Sequence, residues 1–205
     1  VITLHHLNQS RSIRILWLLE EIGVPYVLKR YERRADNQLA PDELKDIHPL
    51  GKAPILEIDG QILAESGAMT EWLISRYAPH LAPKPDSDEY AQYLQWIHFA
   101  ESSAMVPFLL SLFASKEPEK LSVIPPYAAI ESNKILSYLN QHLENRSYLL
   151  GEKITGADFM MSFIIEALTA RGQLAQYPNI ERYGQRLAAL PSWQRAWAIE
   201  RDSSA

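Results

Sequence analysis

Apolar and polar positions change rhythm once along the chain. In the first part, strand-like and helix-like segments alternate. Val1 to His6 reads as a short apolar strand. Ile13, Leu16, Trp17 and Leu19 then recur at helical spacing, and Gly23 is placed to stop that helix. The run Pro25 to Tyr31 reads as a second strand, so the unit implies a right-handed parallel crossover. Residues 32–50 are polar and read as loop, with a short helix opening at Pro41. Pro54–Ile58 and Gln61–Ala64 flank Asp59-Gly60, a dipeptide that supplies the positive φ angles of a tight hairpin turn. Ser66 is expected to cap a helix running to about Tyr77.

The second part reads differently. Residues 79–88 hold three prolines and suggest a stiff linker. Beyond it the periodicity is helical, over Glu89–Phe113, Tyr127–Leu143, Ala157–Ala170, Ile180–Leu190 and Ser192–Glu200. The expected fold class is α/β plus all-α: a thioredoxin-like βαβ-ββα domain over 1–78, the linker 79–88, and an all-helical domain over 89–205.

Composition narrows the chemistry. The 205 residues contain no cysteine, which excludes disulfides, thiolate metal sites and a cysteine nucleophile. A net charge of −5 disfavours a nucleic-acid partner, which needs a basic footprint. No apolar run approaches the ~20 residues of a bilayer helix, and the first residues do not read as a signal peptide, so a cytoplasmic protein without a membrane partner is expected. His48, His80, His98 and His142 show no ligand spacing, and the adjacent His5 and His6 point to opposite faces of a strand, so no metal site is expected.

Three places carry candidate chemistry, and each has a plainer reading. Pro54 opens the third strand. A cis Ala53–Pro54 bond would turn the Ala53 backbone toward a peptide-like ligand, whereas a trans proline would serve the strand equally well. Glu65-Ser66 stands at a helix start, where free N–H groups attract anions. A carboxylate beside such a start suits an amino-acid head group, but a simple cap with an exposed acid explains the same residues. The turn His5 to Ser12 enters the first helix, where a hydroxyl could hold a thiolate; Ser10 or Ser12 could equally be a plain cap.

Taken together, SRSIRILWLLEE, HPLGKAPILEIDG, ILAESGAMTEWL and GEKITGADF resemble the cytosolic glutathione transferases, in order and spacing and across essentially the whole chain. The match is closest to a bacterial and fungal branch. The resemblance implies that Ala53 pairs through its backbone with the cysteinyl part of glutathione beside cis Pro54. It implies further that Glu65 and Ser66 hold the γ-glutamyl end and that Lys52 reaches the glycyl carboxylate. Ser10 matches the catalytic serine of theta-like classes, with His6, Asn8 and Ser12 as rivals on the same turn. It also implies that glutathione is a co-substrate rather than a tightly bound cofactor. The expected reaction is conjugation of the thiolate to a hydrophobic electrophile, with peroxide reduction as a side activity, in a homodimer. Met105 and Phe108 are the expected electrophile-pocket residues, and Glu101 and Ser102 the expected cross-subunit contacts.

The chain departs from the family where beta and omega classes carry a cysteine and where alpha-like classes carry a tyrosine; His6 ends the first strand instead. Thr155-Gly-Ala-Asp158 matches a capping box and is assigned to folding. The basic cluster Lys29, Arg30, Arg33, Arg34 reads as a solvated rim that could assist binding of an anionic tripeptide. A non-catalytic binding or interaction scaffold on the same fold is the alternative function.

Overall fold

The computed structural model describes residues 1–117 and 119–202. The described chain divides into two compact units, residues 1–80 with the segment from Ala188 onward, and Leu81–Leu187.

In the first unit, β1 (Ile2–Leu7), α1 (Ile13–Ile22) and β2 (Tyr26–Tyr31) form the crossover, with β1 and β2 parallel. β3 (Ile55–Ile58) and β4 (Gln61–Leu63) follow as an antiparallel hairpin. Asp59 and Gly60 have φ of 49° and 85°, as a two-residue turn of this kind requires. The sheet order is β2-β1-β3-β4. β1 is central and every residue in it is buried, His5 and His6 included. Gly23 ends α1 at φ 74°, where its N–H reaches the Leu19 carbonyl at 2.9 Å.

α2 (Ser66–Tyr77) corrects one expectation. Ser66 is its first helical residue, not its cap. The cap position belongs to Glu65, a non-glycine residue at φ 72° and ψ 110°. That unusual backbone makes the strand-to-helix turn, and it leaves the Ser66 hydroxyl facing inward.

The larger departure concerns the last helix, α8 (Pro191–Arg201), which was expected in the helical domain. It packs on α1 in the first unit instead. The reason lies in α1, whose seven consecutive residues Ile13–Leu19 are all buried. The sheet covers one side of such a helix and α2 another; α8 supplies the rest. The expected linker also contains structure, a short 3₁₀ turn at Pro79–Leu81.

In the second unit, the expected single helix 89–113 is two, α3 (Glu89–Glu101) and α4 (Met105–Ala114). Pro107 lies in the first turn of α4, where its missing N–H is harmless; inside a continuous helix it would remove a backbone bond. Read without that break, Glu89–Ala114 would be 26 residues long and apolar enough to cross a bilayer; the break leaves helices of 13 and 10 residues, each shorter than the ~20 that a span needs. In the structure these helices pack against α5 (Ile124–His142) and α6 (Gly156–Ala170). α7 (Pro178–Ala188) completes the helical series. The capping box at Thr155–Asp158 opens α6, with the Thr155 N–H donating to Asp158 Oδ2 at 2.8 Å.

Candidate active site

The turn between β1 and α1 is held by more than its own residues. Gln9 adopts φ 49°, a left-handed conformation that folds the chain back before Ser10. The Ser10 hydroxyl lies 2.8 Å from the Leu7 carbonyl and 2.8 Å from Ser12 Oγ, and accepts the Ser12 N–H at 3.1 Å. Ser12 occupies the cap position of α1 without capping it through its side chain. Its hydroxyl turns back to His6 Nδ1 at 2.8 Å and the Leu7 carbonyl at 3.0 Å, while accepting the Leu7 N–H at 3.2 Å.

The four candidates on this turn therefore have different surroundings. His6 and Ser12 are fully buried, and Ser10 is 8 % exposed. Asn8 is engaged elsewhere: its amide donates to Glu32 at 2.7 Å and its carbonyl accepts the Arg33 N–H at 3.1 Å.

His6 continues into α8. Its Nε2 lies 2.5 Å from Glu200 Oε2, and the other oxygen of that carboxylate accepts the Gln9 N–H at 2.8 Å. Arg30 donates to the carbonyls of Ile199 and Glu200 at the C-terminal turn of α8, a favourable place for a cation. Arg33 donates to the Gln9 carbonyl at 2.8 Å and to the Gln38 carbonyl at 2.8 Å. Of the expected basic rim, Lys29 and Arg34 are exposed and match the solvated description, Arg34 being paired with Asp36 and Asp42. Arg30 and Arg33 brace the turn. His5 points to the other side of the sheet, with Nδ1 2.9 Å from the Tyr31 hydroxyl; burial, ahead of its neighbours, pulls its imidazole below the usual range.

A second group of expected residues surrounds the start of α2. Buried Arg14 of α1 donates to the Ser66 hydroxyl at 3.3 Å, which brings the first turns of α1 and α2 together. Glu65 is exposed beside them. The Ala53–Pro54 bond is cis, and Ala53 and Pro54 are part-exposed while Lys52 is exposed. The first unit thus offers two positive helix ends, a serine hydroxyl at one and a carboxylate at the other, within a single fold. Such an arrangement can bind an anion, and it can bind a group carrying both an amine and a carboxylate.

In the helical unit, Met105 is 1 % and Phe108 8 % exposed. The Phe108 ring meets Phe163 edge-on at 6.4 Å and lies 5.1 Å from the Arg171 guanidinium. Ser102 donates its hydroxyl to the His98 carbonyl at 2.7 Å, at the end of α3 where Glu101 also lies.

Glu200 and Arg14 were not among the residues singled out from sequence, and Arg30 was read only as part of the basic rim. For Arg14 a signal existed, since a lone cation inside the apolar run IRILWLL needs a buried partner. For Glu200 there was none, because its partners lie 194 and 191 positions away.

Comparison with known proteins places the fold in a family. Residues 1–75 match the family model for the glutathione S-transferase N-terminal domain, and residues 102–191 the model for its C-terminal domain. Glutathione S-transferase 3 of Schizosaccharomyces pombe is 37 % identical, over 94 % of this chain and 85 % of that protein. The crystal structure of a glutathione S-transferase from Actinobacillus pleuropneumoniae superposes with a TM-score of 0.88 at 36 % identity, covering 98 % of this chain and 93 % of that one. Elongation factor 1-gamma 1 of Oryza sativa subsp. japonica is 25 % identical over 92 % of this chain, but only 46 % of its own length is matched. With both halves of the fold matched and a relative this similar along nearly its full length, the chain belongs to the glutathione S-transferase family.

Proposed function

We propose that the protein is a glutathione transferase that ionises the thiol of glutathione and adds the thiolate to a hydrophobic electrophile. The observation that carries this reading is the position of Ser10. It stands immediately before α1, and it alone of the three hydrogen-bonded groups Ser10, Ser12 and His6 retains exposure. A hydroxyl there donates a hydrogen bond to a sulfur anion while the helix end favours the negative charge. The thiol proton passes to solvent, and the thiolate then forms the new C–S bond as the leaving group departs from the electrophile.

In this reading the Ala53 backbone, Glu65 and Ser66 hold the cysteinyl and γ-glutamyl parts of glutathione, and Lys52 the glycyl carboxylate. Glutathione is a co-substrate. Phe108 and Met105 belong to the electrophile side, Glu101 and Ser102 to contacts across a homodimer, and peroxide reduction is a side activity. These assignments rest on the family's pattern together with the surroundings described above.

The likeness to elongation factor 1-gamma favours a second reading, a scaffold that keeps the fold without the reaction. Titration with glutathione across pH, followed by the ultraviolet absorbance of the bound thiolate, separates the two. A thiolate signal well below the pKa of free thiols (~8.5) supports the transferase. Binding heat without that signal supports the scaffold.

A further inference from the structure

Ser10 is one end of an unbroken hydrogen-bonded series: Ser10 Oγ, Ser12 Oγ, His6 Nδ1, His6 Nε2, Glu200 Oε2, with Glu200 Oε1 returning to the Gln9 N–H. The direction of each bond follows from what each group can do. Burial pushes the Glu200 carboxyl up, but the His6 hydrogen bond, the Gln9 amide and Arg30 outweigh it and hold the group below its usual range. An ionised carboxylate only accepts, so His6 donates from Nε2. In the neutral tautomer that carries its proton on Nε2, Nδ1 is bare and Ser12 donates its proton there. Ser12 has one hydroxyl proton, and once it points to His6 it cannot point to Ser10.

The consequence falls on Ser10. Its oxygen already accepts the Ser12 N–H at 3.1 Å. Its own proton rests between two neutral acceptors, the Leu7 carbonyl and Ser12 Oγ, each at 2.8 Å. A sulfur anion is a stronger acceptor than either. We infer that His6 and Glu200 are positioning residues that act through Ser12 to keep Ser10 a hydrogen-bond donor toward the thiolate. The inference rests on the functional reading above. No proton enters or leaves the series; its polarity alone is fixed. The titratable and charged groups facing Glu200 are His6 from β1, Arg30 from β2, and Arg33 following it.

The sequence distance is the unusual part. The group that orients the turn comes from α8, the helix that completes the first unit.

The test is a double-mutant cycle on the full-length protein, Glu200→Gln against Ser10→Ala. A glutamine amide has one acceptor for two donors, so its NH₂ can face His6, reverse the imidazole and turn the Ser12 proton toward Ser10. The expected result is a kcat lowered on the order of tenfold, as is typical for partners that orient a reacting group, with KM for glutathione unchanged. The pKa of the bound thiol, read by ultraviolet absorbance, should rise in the same variant. In the Ser10→Ala background, Glu200→Gln should cost nothing further. Equal losses in both backgrounds, or no loss with Ser10 present, would overturn the inference. Should Glu200→Gln fail to fold, Ser12→Ala removes only the hydroxyl between His6 and Ser10, and the same cycle applies with the same expected outcome. A wild-type protein that never forms bound thiolate defeats the functional reading and this inference with it. Thiolate formation with purely additive losses defeats the inference alone.

Discussion

Trp17 in α1 donates its indole N–H to the hydroxyl of Ser192 at 2.9 Å, and both residues are buried although 175 positions separate them. Ser192 opens α8, and alongside it the Arg195 guanidinium reaches the side chain and backbone of Glu20. The first unit therefore depends on the far end of the chain for one wall of its central helix. A Ser192→Ala protein removes the oxygen that accepts the indole N–H with little change in volume. We expect it to be less stable by about 1–3 kcal/mol, read from the shift of the urea midpoint at constant m-value. An unchanged midpoint would mean that water or a shifted neighbour replaces the lost acceptor.

Ser10→Ala should lower kcat by roughly a hundredfold, the scale of a lost donor to a developing or stored anion. Affinity for glutathione, measured by calorimetry, should change little, because the tripeptide is held by other groups. Unaltered turnover would transfer the role to Ser12, Asn8 or His6. The surroundings of those three argue against that outcome, since two are buried and the third is engaged with Glu32 and Arg33.

Glu65 presents a trade between stability and binding. Its φ of 72° and ψ of 110° place a residue with a Cβ in a sparsely populated region. Glu65→Gly should release strain of roughly 1–3 kcal/mol, more than the ~0.5–1 kcal/mol of added chain flexibility. The fold is expected to gain about 1 kcal/mol in chemical denaturation, within that balance. Glutathione binding is expected to weaken on the order of tenfold for lack of the carboxylate. A variant that loses stability would show that the glutamate side chain supports the turn.

Asp158 is fully buried and accepts from the N–H groups of Thr155 and Leu149 and from the Tyr183 hydroxyl, at 2.8, 3.0 and 2.7 Å. Burial is the largest influence, and it carries the carboxyl up to about 6 against those three donors. A folded-state value above the unfolded one means that the folded protein holds the proton more tightly. The stability due to this group is thus complete below an unfolded pKa of about 3.9 and is lost as pH rises through about 6. Asp158→Asn lacks this titration. Its stability deficit should be largest near pH 4 and should shrink toward pH 7, as measured by thermal melts across that range. A deficit that grows with pH would mean that the three donors outweigh burial. At either pH the variant should bind glutathione normally, since the residue serves the start of α6.

The strands, α1, the Asp59-Gly60 turn and the capping box were legible because each is a local pattern. Alternation, a helical stripe, a dipeptide with the right φ preferences and a hydroxyl three residues before an acid all act within a few positions. The split of α3 from α4 was marked too, by Pro107, although the apolar periodicity ran straight across it. Ser66 was misplaced by one position because a serine before an apolar run ordinarily caps. Here the positive φ of Glu65 takes over the turn, and Ser66 faces Arg14 instead.

Local pattern was enough for the class of fold, the family, and a short turn on which Ser10 led and His6, Asn8 and Ser12 stood as rivals. The tertiary structure alone decided how those neighbours differ. Bringing α8 against α1 buried His6 between Ser12 and Glu200, fixed Gln9 from the same carboxylate, and left Ser10, 8 % exposed, at the end of the series away from Glu200. Local patterns register which residues share a face. They carry no record of a partner nearly two hundred positions away, because burial and hydrogen-bond direction depend on what packs above a residue, and packing is a property of the folded chain.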